Sequence, residues 1–125
     1  MIESVLIPIY EINLHLFVEE EIDDLMLFHC PDECYDDGKL CKATTIPKKR
    51  NIFVFIREKY LNHNTIAHEL DHVTHMLMRD IGMSESEDSE EAYAYLTGWL
   101  HGWTYETLRD KGARVYFQDK KEPKI

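Results

Sequence analysis

Basic residues are scarce in this sequence. Only 14 Lys and Arg stand against 24 Asp and Glu among 125 residues, a formal net charge of −10. A surface that acidic repels phosphate backbones and anionic headgroups, which argues against a nucleic-acid or membrane partner. Long apolar runs are missing as well. The apolar residues near the N-terminus are broken by Glu11, Asn13 and His15, so they do not read as a transmembrane helix. No basic stretch precedes them, so a secretory signal is not expected. Internal repeats, long low-complexity tracts and interdomain linkers are absent from the sequence. Cysteine is limited to Cys30, Cys34 and Cys41. An odd count without an expected signal reads as reduced thiols in a cytoplasm. His29, Cys30, Cys34 and Cys41 also make a candidate second zinc site. Their Cys-x3-Cys-x6-Cys spacing is looser than a paired-cysteine knuckle, and unligated thiols are the simpler reading.

What is present is the composition of one folded domain, residues 1–125, with 44% hydrophobic and 30% charged residues. Residues 2–18 alternate partly between apolar and polar and are rich in β-branched residues, which predicts one or two strands with Pro8 near an edge or bend. Glu19 to His29 reads as a short helix with acidic residues in its first turn. Pro31, Asp32, Asp36, Asp37 and Gly38 mark a loop. Lys42 to Ile46 and Ile52 to Ile56 read as two strands joined by a basic turn, a candidate hairpin. The second is an uninterrupted apolar run, as in a strand covered on both faces. A helix is predicted from about Asn64, its N-cap, to Ile81, with Gly82 as its stop. A second helix begins in the acidic segment Ser84–Glu91, where Ser84 with Glu87 or Asp88 with Glu91 are candidate capping pairs, and ends at Gly112. Val115 to Phe117 suggests a last short strand. The fold class is therefore α+β.

The chemistry is concentrated in His68-Glu69-Leu70-Asp71-His72. Residues four apart on a helix are offset by only about 40°, so both imidazoles leave from one face. Two such nitrogens suit adjacent corners of a zinc tetrahedron, and Glu69 sits beside them as a candidate general base toward a zinc-bound water. The apolar stripe Leu70, Val73 and Leu77 lies opposite, so the ligand face and the core face are separate. Two His and a water leave one protein ligand missing. Glu85, Glu87, Asp88, Glu90 and Glu91 are the candidates. Glu91 is preferred because it shares a helical stripe with Gly98 and Gly102, whose missing side chains would let another backbone come close. His75 competes, but three ligands from one straight helix converge poorly, and a supporting or surface role suits it better. Tyr95, one turn past Glu91, is a candidate donor to a ligand or an oxyanion. Trp99 and Trp103 read as packing residues. His15, His29, His63 and His101 are individually uninformative.

At these residues the chain resembles the gluzincin branch of zincin-like metallopeptidases. More narrowly, His68-Glu69-x-x-His72, Gly82 and Glu91-Ala-Tyr-Ala-Tyr95-Leu-x-Gly98-Trp resemble short phage and prophage proteins of that type. The resemblance covers about residues 43–103. It implies a minimal zincin-like domain: a small mixed sheet packed on a zinc helix and a second, ligand-bearing helix. A strand at 43–46 or 52–56 would line the cleft and pair with an extended substrate. The cysteine loop lies outside the pattern.

These readings converge on one Zn²⁺ held by His68, His72 and Glu91, with Glu69 as base in the hydrolysis of a peptide or protein substrate. Two rivals come from other classes. A non-catalytic binding or inhibitor protein would keep zinc as a structural staple, closed by a fourth protein ligand rather than open to water. An acidic mimic of nucleic acid would spread carboxylates over one face and give the two His no role.

Overall fold

The computed structural model describes residues 1–33 and 41–117. Its elements in chain order are strands β1 (Ile2–Ile7) and β2 (Ile12–Glu19), helix α1 (Asp23–His29), strands β3 (Ala43–Lys48) and β4 (Asn51–Arg57), helix α2 (His63–Asp80) and helix α3 (Glu90–Asp110). Single 3-10 turns at Glu58–Tyr60 and Glu87–Ser89 precede the two long helices. The four strands form one mixed sheet in the order β1-β2-β4-β3. β1 and β2 pair antiparallel, as do β3 and β4, while β2 and β4 run parallel. This is a small mixed α+β domain.

The apolar run in β4 occupies a central position, and every residue from Ile52 to Arg57 is buried. Its two faces feed two cores, because successive side chains leave a strand on opposite sides. Ile52, Val54 and Ile56 join Leu14 and Leu16 of β2 and Ile66, Leu70, Val73 and Leu77 of α2 in the larger one. Phe53 and Phe55 join Phe17, Ile22, Ile46 and Cys30 in the smaller one, with Leu25 and Met26 of α1 packed against it. Trp99 and Trp103 pack half-buried against the larger core, as their spacing on α3 predicted.

Arg57 ends β4 with its guanidinium beneath the surface. Its Nη1 and Nη2 donate to Glu21 and Asp23 at 2.9 and 2.7 Å, and its Nε donates to the Cys41 carbonyl at 2.7 Å. Burial opposes its charge, and the two carboxylates outweigh that, holding its pKa above the usual arginine value. The arginine ties the start of α1 to the entry of β3.

Several expected boundaries move. Glu19 closes β2, and α1 begins only at Asp23. The N-cap of α2 is the buried Asn62, not Asn64: its extended backbone lets Oδ1 accept from the Thr65 amide at 2.8 Å. The capping box before α3 is Ser86 with Ser89, and neither expected pair forms it. Ser89 is small enough to be buried there while its hydroxyl donates to the Ser84 carbonyl at 2.7 Å. Gly82 and Gly112 do follow their helices with φ of 76° and 70°, the left-handed region in which glycine is unstrained. Val115–Phe117 is no strand. Tyr116 makes one isolated bridge to Asn62. Among the described residues, no helix is long and apolar enough to cross a membrane.

Candidate metal centre

Helix α2 lies with Ile66, Leu70, Val73 and Leu77 against the sheet, all buried. Residues two positions away leave on the other side, so His68 and His72 are exposed. Their Nε2 atoms approach to 3.2 Å with the rings edge to face. Two nitrogens bound to one tetrahedral zinc lie about 3.3 Å apart, given bonds of about 2.05 Å. The imidazole pair therefore fits two adjacent corners of such a site.

Glu69 points elsewhere. It is turned toward the sheet and is 5% exposed. Thr45, on edge strand β3, donates its hydroxyl to Glu69 Oε1 at 2.8 Å and approaches the Glu69 carbonyl at 3.3 Å. The second carboxylate oxygen, Oε2, is left 3.9 Å from His68 Nε2. A buried carboxylate with one oxygen anchored presents the other in a restricted direction, which is the preorganisation a general base needs. Sequence reasoning missed Thr45. Its polarity inside a strand was visible, but its partner stands 24 residues away and only packing brings them together.

The expected third ligand is not beside the pair. Among the described residues, no group of three His, Cys, Asp or Glu side chains is arranged to hold a metal ion. The helices α2 and α3 run antiparallel: Thr74 meets Thr97 at 3.4 Å, His75 lies over Tyr93 at 5.7 Å, and His63 meets Tyr105 at 2.7 Å. This order puts Glu91 toward the end of α2 beyond His75, not level with His68 and His72. The two glycines do not face α2 as expected either. Gly98 and Gly102 are exposed, and among the described residues a Cβ on either would meet nothing within 4 Å. The stripe facing α2 is Tyr93 and Thr97, with Leu96 and Leu100 in the core, so the small residues serve no close approach. Tyr95 is 73% exposed on the outer side of α3.

One member of the acidic segment does reach the outer face of α2. His75 Nε2 lies 3.4 Å from Glu85 Oε2, and its Nδ1–H donates to the Asp71 carbonyl at 2.8 Å. The Asp71 carbonyl, opposed by some desolvation and aided by Glu85 and the Asp71 carboxylate, raises the His75 pKa above 6.5. A raised folded pKa contributes stability that is fully present below the unfolded value and is lost as pH rises through the folded one. His75→Gln is therefore expected to lower Tm at pH 5.5 and to change it little at pH 8.5. Calorimetry at the two pH values checks this, and an equal loss at both would remove the charge-based explanation.

The other histidines are engaged separately. His63 bonds Tyr105, and His101 Nδ1 donates to the Thr97 carbonyl at 2.8 Å. Burial raises the Tyr105 pKa, keeping its phenol protonated. Of the candidate cysteine site, Cys34 lies outside the described residues. Cys30 is buried and Cys41 half-buried. Burial pushes the Cys41 thiol up, which favours the protonated form over the thiolate a metal requires. No family model matches the chain, and neither the curated proteins nor the solved structures compared with it give a match.

Proposed function

We propose that this chain is a zincin-type, zinc-dependent hydrolase acting on peptide or related amide bonds. The observation that carries the reading is the convergence on α2 of two imidazole nitrogens 3.2 Å apart with a carboxylate oxygen 3.9 Å from one of them. Support also comes from the mixed sheet, whose edge strand β3 packs on α2 and supplies the Thr45 anchor.

Zinc would supply Lewis-acid activation of a water molecule. His68 and His72 would hold it. Glu69 Oε2 would take a proton from the water and return it to the leaving nitrogen, while Thr45 fixes the opposite oxygen. The third ligand in this reading is Glu91, which the resemblance favours. Glu91 shares its stripe with Tyr95, Gly98 and Gly102, which face water, so that assignment requires the first turn of α3 both to rotate and to move toward His72.

The test is zinc titration of the chelator-stripped full chain by calorimetry. One ion per chain is expected. If roughly 10–16 kcal/mol of structural-type zinc binding is shared among four ligands, each is worth about 3 kcal/mol, or about a hundredfold in affinity. His72→Ala and Glu91→Gln should each weaken binding on that scale. A wild-type affinity no better than that of the His68→Ala/His72→Ala double variant would end the proposal. Full affinity in Glu91→Gln would remove Glu91 alone.

A further inference from the structure

The outer face of the sheet, away from α2 and α3, carries a second constellation. Ser4 of β1 and His15 of β2 are cross-strand partners, and Ser4 Oγ lies 2.7 Å from His15 Nδ1. The other ring nitrogen, Nε2, lies 2.8 Å from Asn51 Oδ1 at the start of β4. An amide oxygen only accepts, so Nε2 carries the proton. In the neutral ring Nδ1 is then the acceptor, and the Ser4 hydroxyl donates to it. Phe53 stacks on the imidazole at 4.8 Å and 19°, holding its plane. The three polar groups thus stand in the order nucleophile, base and base-orienting acceptor, with the tautomer set by the third.

The strand register adds a fourth element. Met1 and Val18 exchange both backbone hydrogen bonds, at 2.8 and 2.9 Å. Alternation along an antiparallel pair then makes Ser4 and His15 a non-hydrogen-bonded pair, whose side chains stand closest. It also turns the Ser4 N–H toward the outer edge of β1, where no other described strand pairs. This amide is a donor beside the nucleophile's own oxygen.

The geometry points to Ser4 as a base-activated nucleophile that gives the chain a second, metal-independent acyl-transfer site for small activated esters. Ser4 Oγ attacks the ester carbonyl carbon while its proton passes to His15 Nδ1. The carbonyl electron pair moves to oxygen and returns as the alcohol leaves, and the alcohol takes the proton from His15. Water, deprotonated by the same nitrogen, then cleaves the acyl-serine and restores the hydroxyl. Ser4 is exposed on the sheet surface, so the acyl group the site suits is small and the leaving group a good one.

A fluorophosphonate tests this, because the same attack expels fluoride and leaves a stable phosphonyl-serine. The full chain is treated in excess chelator, and the adduct is mapped by peptide mass spectrometry. A single adduct on Ser4 is expected, absent in Ser4→Ala and at least tenfold slower in His15→Gln. Asn51→Leu, which leaves serine and ring in place, should slow it as well. No adduct on Ser4 above that of the unfolded chain overturns the proposal. So does an adduct whose rate is unchanged by both variants, or one found only on other residues. Glu69→Gln should leave the labelling untouched, which separates this site from the one on α2.

Discussion

Glu69→Gln should keep zinc affinity within a few-fold of the parent and lose hydrolysis by about 10²–10⁴, the range attributed to a positioned general base. The substitution suits the question because Gln preserves shape and can still bond the Thr45 hydroxyl, which now lies 2.8 Å from Glu69 Oε1. What it removes is the negative oxygen 3.9 Å from His68 Nε2. Activity against a casein-type substrate, measured beside the zinc titration, gives both readouts. Parental activity in the variant would refute the assigned role while leaving His68 and His72 as ligands. Loss of zinc and of activity together would instead indicate that Glu69 supports the imidazole pair.

Phe55→Ala is expected to cost about 3–5 kcal/mol, the usual range for emptying an aromatic site in a packed core. Phe55 is fully buried on central strand β4, stacked on Phe17 with centroids 4.7 Å apart and on Phe53 at 6.1 Å. Its ring partners Phe17 and Phe53 sit on paired strands and cannot readily collapse into the space. Against a typical total of about 5–15 kcal/mol, the loss would leave the domain marginal. Urea unfolding followed by circular dichroism measures it through the midpoint. A loss under about 1 kcal/mol would mean that the α1 side of the sheet contributes little. The substitution lies on the opposite face of β4 from α2, so zinc binding by the folded fraction should persist.

The sequence by itself determined the local features. The unbroken apolar run Ile52–Ile56 announced a strand covered on both faces, and β4 is one. The stripe Leu70, Val73 and Leu77 oriented α2, which left His68 and His72 together on the outer side, since periodicity assigns faces within a single element. The stops at Gly82 and Gly112 were legible because a left-handed residue there strongly favours glycine. Only the tertiary structure decided how elements meet. Thr45 reaches Glu69, Ser4 and Asn51 flank His15, and Asn62 rather than Asn64 caps α2, each through packing that no local pattern records. The rotation of α3 was misread for the same reason. Glycines leave a helix face equally free to meet a neighbour or water, and the buried area of Leu96 and Leu100 turned Gly98 and Gly102 to water.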